Sequence, residues 1–315
     1  MSRKWLVSSG GRRGALVELL KTTPGPASSM VVVTDASLLS AAGALADEFA
    51  VVPRIDDPNF VSEMLSVCKR YDIDAIVPTL DPELNVYARS RDLFINEGTD
   101  VLVSSPVVTQ FAWDKWEFFK WLRSNGLPTV ATAEAGSPDI GVISGPVVAK
   151  PRTGSASKGV LFADSVEDLP ELSNDYIVQA RANGIEITVD FAVSATGRFL
   201  GAVPRRRLEV RAGEVSKGVT IQLPKVEDTV RKLAEALPGA YGILNAQVFY
   251  DPSTHALSII ELNARVGGGF PLSAEAGANF FSALLTDSPI DSWRSNLVML
   301  RYDSAVFVDG SEMGL

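Results

Sequence analysis

One cysteine and one histidine occur in the 315 residues of this chain. Cys68 by itself forms neither an intrachain disulfide nor a cysteine-based zinc cage. A nucleophile activated by histidine would depend on His255, which falls in the turn-forming run "DPSTHA" and reads as a solvated turn residue. Long apolar runs are missing as well. The opening "MSRKWLVSSGGRRG" is too polar for a signal peptide, and no segment approaches the roughly 18 uninterrupted apolar residues of a membrane span. Positive charge is in deficit, with 29 Lys plus Arg against 38 Asp plus Glu and a net charge of -9, the wrong balance for a general nucleic-acid binder. These absences point to a soluble, cytoplasmic protein whose chemistry comes from carboxylates, amides, Lys, Arg and a hard metal ion. An anionic ligand must be held where the few cations cluster.

With 46% hydrophobic residues the chain can build substantial cores, and its length suits two packed units of roughly 100–200 residues each. Up to about residue 105 it alternates strand-like runs ("KWLVSS", "SMVVVTD", "EFAVVP", "DAIVPT", "DVLVSS") with helical ones ("RGALVELLKT", "SLLSAAGALAD", "FVSEMLSVCKRY"). That alternation predicts a doubly wound, mostly parallel α/β sheet. Ligands of such sheets sit at the carboxyl ends of the strands, and two loops there stand out. "SSGGRRGA" carries Gly10, Gly11, Arg12 and Gly14, with backbone N–H groups able to hold an anion. "PTLDPE" carries Thr79, Asp81 and Glu83.

From Phe111 the pattern changes. "DKWEFFKWLRSNGLP" predicts a helix ended by Gly126 and Pro128, its aromatic residues spaced for packing. The remainder is strand-rich, with turn signals such as "SATG" and "DPST" between runs, and predicts antiparallel hairpins interrupted by one helix, "KVEDTVRKLAEAL". The fold class is therefore α/β followed by α+β.

In "ILNAQVFYDPSTHALSIIELNARVGGG" strand alternation sends Ile260, Leu262 and Ala264 to one face and Glu261, Asn263 and Arg265 to the other. The turn at 251–255 lets Gln247 face Glu261 across a hairpin. Gln247, Glu261 and Asn263 then present three oxygen donors, the ligand type that Mg²⁺ or Mn²⁺ takes. Arg265 adds a bidentate cation for a phosphoryl or carboxylate oxygen. In "PVVAKPRTGSASKGVLF", Lys150 ends a strand. The small, hydroxyl-rich loop after it, with Gly154, Ser155, Ser157, Lys158 and Gly159, can lay backbone N–H groups over phosphates, although it lacks the Walker spacing. In "YIVQARANGIEITVDF", Gln179 and Ala180 can read a purine edge through the backbone, and Glu186, sharing a face with Thr188 and Asp190, can accept from ribose hydroxyls. "PRRRLEVRAGEVSKG" gathers Arg205, Arg206, Arg207, Arg211 and Lys217 into a basic hairpin.

Taken in order, these motifs resemble the ATP-grasp superfamily, and within it the carbamoyl-phosphate synthase large-chain-like proteins, over nearly the whole chain. The resemblance implies a Rossmann-like pre-ATP-grasp domain at 1–108 and an ATP-grasp domain at 109–315, divided into a lid subdomain at 109–182 and a large subdomain at 183–315. It implies that Lys115 of the "DK" pair, Lys150, the lid residues Gly154, Ser155, Ser157, Lys158 and Gly159, the hinge residues Gln179 and Ala180, and Glu186 bind ATP. Gln247, Glu261 and Asn263 would hold Mg²⁺. Arg265, Lys150 and Lys217 would be catalytic, and the substrate would meet Gly11, Arg12, Asp81, Glu83, Arg205, Arg207, Arg265, Gly267 and Gly268. Gln179 stands where the family often has Glu, which alters the contact expected with an adenine amino group.

The activity implied is phosphorylation of a small carboxylate by Mg-ATP and attack on the acyl phosphate by an amine or similar nucleophile, with release of ADP and phosphate. Such chemistry needs positioning and charge neutralisation and no His or Cys. The partners implied are a small carboxylate and an amine, without nucleic acid or membrane, and a homodimer is compatible. Three other readings stay open: a carbamate or carboxylate kinase like half of carbamoyl-phosphate synthase, a regulatory nucleotide binder, and an NAD(P)-dependent oxidoreductase. The last rests on "LVSSGGRRG" followed by "VVVTD", with Asp35 as a ribose ligand and Ser9 where the first fingerprint glycine belongs.

Overall fold

A computed structural model describes residues 3–22, 29–154, 159–211 and 214–313. The β-branched runs of the first third form β1 (Lys4–Ser8), β2 (Met30–Asp35), β3 (Glu48–Val51), β4 (Ala75–Pro78) and β5 (Asp100–Val101), and between them lie α1 (Gly14–Thr22), α2 (Ala41–Leu45), α3 (Phe60–Tyr71) and α4 (Asp81–Asn96). All neighbouring strands are parallel, in the order β3-β2-β1-β4-β5. The order reverses at β1, so the loop after Ser8 lies beside the loop after Pro78, its register partner, at the crevice where open sheets bind ligands. The helix α4 departs from expectation. "PTLDPE" reads as a loop, yet Asp81 opens a 16-residue helix, with Pro82 in the first turn where no N–H is needed.

After α5 (Pro106–Trp113) and α6 (Lys115–Ser124), a small sheet follows: β6 (Thr132–Glu134), β7 (Val147–Pro151), β8 (Leu161–Ala163) and β9 (Tyr176–Ala180), antiparallel in the order β6-β9-β7-β8. Of the aromatic residues of α6, Phe118 is buried in the main core beside Leu122 and Trp121 packs against it, as expected for packing residues, whereas Trp116 and Phe119 stack on each other.

The rest builds a second antiparallel sheet from β10 (Ile185–Val193), β11 (Phe199–Arg211), β12 (Glu214–Thr220), β13 (Gly242–Tyr250), β14 (Leu257–Asn263) and β15 (Val298–Leu300), ordered β14-β13-β10-β11-β12-β15. The helices α7 (Pro224–Ala236), α8 (Phe270–Glu275) and α9 (Phe280–Thr286) accompany it. The runs "GRFLGAVP" and "RRLEVRAG" join into the single 13-residue β11. One face of the sheet is apolar: Ile187, Val189, Phe191, Ala246, Val248, Ile259 and Leu262 are buried with Val226, Val230 and Leu233 of α7. The alternation predicted for β14 is broken once. Gln247 pairs with Glu261 but Val248 pairs with Ile259, so Ile260 is the extra residue of a bulge and Ile259, not Ile260, joins Leu262 and Ala264 in the core.

Cys68 is buried and its thiol is pushed up to about 12 by desolvation, which leaves it inert at neutral pH. Among the described residues, no helix is long and apolar enough to cross a membrane.

Candidate functional site

Directly paired residues of antiparallel strands share a face, and register alone assembles the polar face of the large sheet. One row runs Glu261, Gln247, Thr188, Arg205, Thr220 across β14, β13, β10, β11 and β12. The next runs Asn263, Asn245, Asp190, Val203. Gln247, Glu261 and Asn263 thus stand on adjoining positions of one face, and the bulge at Ile260 is what keeps Glu261 opposite Gln247. Among the described residues no group of three or more His, Cys, Asp and Glu forms a metal cage. The donor set is one carboxylate and two amides. Such a set fits a hard, oxygen-loving ion that arrives with phosphate oxygens, as Mg²⁺ does.

Lys150 is the next-to-last residue of β7 and is 7% exposed. Burial pulls its pKa down to about 8; Glu261 raises it in part and Lys115 lowers it further. The three charges therefore share one neighbourhood. A desolvated ammonium gains most from a polyanion. Lys115 is placed by its neighbour. Asp114 caps α6 by accepting from the N–H groups of Trp116 and Glu117 and bridges to Thr153, while Lys115 Nζ donates to Gly154 O at 2.7 Å. Arg152 fastens this corner: its Nε donates to both Asp114 carboxylate oxygens at 2.8 Å, Nη1 to Glu134 at 2.6 Å and Nη2 to Glu117 at 3.1 Å. Gly154, at φ +100, and Gly159, at φ +72, lie in backbone regions that favour glycine. Ser155, Ser157 and Lys158 lie outside the described residues.

Several expectations need correction. Ala180 N–H donates to Ala131 O, and the next N–H, of Arg181, to Pro146 O, so those two backbone donors are not free to read a purine edge. The Gln179 amide donates to Thr132 Oγ1 at 2.9 Å. Glu83 does not face a ligand. It is fully buried and accepts from Thr79 N, Leu80 N, Ser8 Oγ and Ser9 Oγ; burial pushes its pKa up and these bonds restrain the rise. It ties the β1 and β4 loops together. Arg205 is 2% exposed and pairs with the fully buried Asp190, Nε at 2.6 Å and Nη2 at 2.8 Å, and Ser273 Oγ donates to the same carboxylate. Gly267 and Gly269 lie against it: a Cβ at Gly269 would stand 2.2 Å from Arg205 Nη1. Its guanidinium is a strut beneath that turn and not an exposed anion contact. Lys217 is exposed and bonded to Glu209 at 2.7 Å, an ordinary strand-pair contact. Arg211 pairs with Asp303 at the tip of the hairpin. Gly268 lends its carbonyl to Arg301.

Arg265 receives a partner the sequence did not reveal: Asp81 of α4 accepts from its Nε and Nη2, both at 2.7 Å. Burial opposes the Arg265 charge, while Asp81, aided by Glu261 and Glu83, more than restores it. Glu186 pairs with Arg207, whose Nη2 also donates to Gln247 Oε1 at 3.2 Å. Asn245, two residues before Gln247 on the same face, donates to Arg265 O at 3.0 Å. Sequence analysis missed Asn245; its alternation with Gln247 on one strand is the signal that could have found it.

The first loop is also built differently from a dinucleotide site. Gly11 N–H donates to Asp35 Oδ2 at 2.7 Å, so the donor meant for a pyrophosphate and the acid meant for a ribose hydroxyl satisfy each other. Arg12 stands exposed beside them.

Comparison with known proteins agrees with this architecture. Residues 5–102 match the model of the PylC-like N-terminal domain, and residues 112–269, half of the chain, match the ATP-grasp domain. No curated protein matches the sequence. Among solved structures, N5-carboxyaminoimidazole ribonucleotide synthetase from Thermotoga maritima is 20% identical, with 94% of this chain and 79% of that one covered at a TM-score of 0.68. Carboxyaminoimidazole ribonucleotide synthase from Aspergillus clavatus, solved with ATP, is 16% identical, with 95% and 81% covered at 0.72. L-amino acid ligase from Bacillus licheniformis is 17% identical, with 91% and 74% covered at 0.68. The parallel sheet falls within the PylC-like match, and the small antiparallel sheet carrying Lys150, the strands carrying Gln247 and Glu261, and Arg265 just beyond β14 fall within the ATP-grasp match, so the chain is a member of the ATP-grasp family.

Proposed function

We propose that this protein activates a small carboxylate as an acyl phosphate and passes it to an amine or similar nucleophile. The observation that carries the reading is that Lys150, Arg207 and Arg265 all lie within electrostatic reach of Glu261 in a protein short of positive charge. On this reading residues 1–108 form the domain preceding the ATP-grasp unit, 109–182 the lid and 183–315 the large subdomain.

Lys150 and Lys115 bind and orient the phosphates from the lid side. Glu261, Gln247 and Asn263 would hold Mg²⁺, which when bound draws charge away from the phosphate oxygens. Arg265, fixed by Asp81, offers its remaining face to the oxygens of the carboxylate and the transferred phosphoryl group. The Gly267–Gly269 turn lets the acid approach the backbone closely, and the loop holding Arg12 flanks the crevice where the β1 and β4 loops meet. The cations favour an anionic substrate: an amino acid, a small carboxylate or a phosphorylated acid.

The test is an ADP-release screen with Mg-ATP over paired carboxylates and amines, with hydroxylamine added to trap an acyl phosphate. Hydroxamate formation that depends on the acid, followed by a condensed product identified by mass, is the expected result. ADP release without any acid-dependent hydroxamate would overturn the reading.

A further inference from the structure

Arg207 presents a conflict over shared oxygens. Its side chain is 19% exposed and lies on the polar face of β11. It pairs with Glu186, the residue assigned to the ribose, and donates to Gln247 Oε1, an oxygen assigned to the metal. Burial lowers its pKa and Glu261, the only carboxylate of the metal trio, raises it in part, which places Glu261 within its electrostatic reach. Its Nε is buried with no partner. A guanidinium donating to Gln247 and a divalent ion coordinated by Gln247 compete for the same oxygen, and the two cations repel.

Resting on the Mg-ATP reading above, we infer that Arg207 is a tethered competitor of the divalent ion: it holds Gln247 and Glu186 until Mg-nucleotide arrives, and then turns its guanidinium to the phosphates. The tether accounts for a buried arginine whose Nε bonds to nothing, because the second arrangement supplies phosphate oxygens to that group. It also makes metal binding conditional. An ion without nucleotide must displace Arg207 and gains no phosphate ligands in return, whereas an ion bound to ATP brings a new partner for Arg207.

The inference predicts opposite signs for two binding reactions. In Arg207→Met, Mn²⁺ affinity without nucleotide, read from the electron paramagnetic resonance signal of free Mn²⁺, should rise at least about tenfold, and affinity for the nonhydrolysable ATP analogue AMP-PNP, read by calorimetry, should fall. Arg207→Lys keeps the charge for Glu186 and secures the test should the Met variant not fold; it should give a smaller gain in Mn²⁺ affinity, of about threefold. An arginine that only supports the fold would weaken both reactions, and one that only binds phosphate would leave bare Mn²⁺ binding unchanged. Either result in the folded variants overturns the inference. Wild-type protein that binds neither AMP-PNP nor its Mn²⁺ complex would instead overturn the reading of the site itself.

Discussion

Asp81 and Arg265 face each other through two parallel hydrogen bonds of 2.7 Å, although 184 residues separate them. The side chains are 10% and 14% exposed, and the pair joins the first turn of α4 to the end of β14. It is both a fastening between the parallel sheet and the large sheet and the means by which Arg265 is aimed. Removing one partner of such a pair leaves the other charged and buried, at a cost of about 3–5 kcal/mol. Asp81→Ala should lower the unfolding free energy by that amount in urea denaturation. A loss below about 1 kcal/mol would show that the pair does not hold the two units.

Lys150 makes nucleotide affinity and stability respond to pH in opposite directions. Its pKa in the folded protein, about 8, lies below the usual lysine value of 10.5, so from pH 8 to 10.5 the unfolded chain carries more protons than the folded one. The cost of the buried charge is fully present below pH 8 and is relieved as the pH rises through that window, so the contribution of Lys150 to stability rises there. Phosphate binding needs the ammonium, so affinity for ATP should fall above pH 8, with proton uptake on binding near that pH. Calorimetry in buffers of different ionisation enthalpy reads the uptake. Lys150→Arg should flatten the profile, and Lys150→Ala should weaken binding at every pH.

Glu261→Gln keeps the shape of the donor set and removes its only carboxylate. ADP formation should fall about 100-fold or more, while the variant keeps its fold by circular dichroism. Turnover near that of wild type would sink the metal assignment.

Glu83→Ala addresses a carboxylate that the sequence suggested for substrate and the structure shows as a fastening. The N–H groups of Thr79 and Leu80 would lose their acceptor, at about 1–3 kcal/mol each where water does not replace it. Thermal unfolding should show the loss, whereas ATP affinity measured below the transition should stay within twofold. A selective fall in ATP affinity with unchanged stability would contradict this role.

The parallel character of the first sheet, the hairpin pairing of Gln247 with Glu261 and the packing role of Phe118 and Trp121 were legible because each follows from local periodicity. What was illegible has physical causes. The helix α4 begins with Asp81-Pro82-Glu83, residues equally suited to a turn and to a helical first turn, and local sequence does not choose between them. The bulge at Ile260 moves the buried position to Ile259 without any glycine or proline to announce it. The arginines of β11 looked alike in sequence, yet three of them met three different acids: Asp190 for Arg205, Glu186 for Arg207 and Asp303 for Arg211. Which cations stay free for a ligand depends on tertiary partners, and those partners lie 15 to 184 residues away for Arg205 and Arg265.

Arg152 ties the small sheet to α6. Its guanidinium grips α6 through Asp114 and Glu117 and the sheet through Glu134, while α6 is rooted in the main core by Phe118 and Leu122. Lys150 of β7 lies two residues before Arg152, and Lys115 follows Asp114, which Arg152 grips. One guanidinium therefore sets the spacing of the two lysines, and a change at Arg152 would be felt at both without touching either.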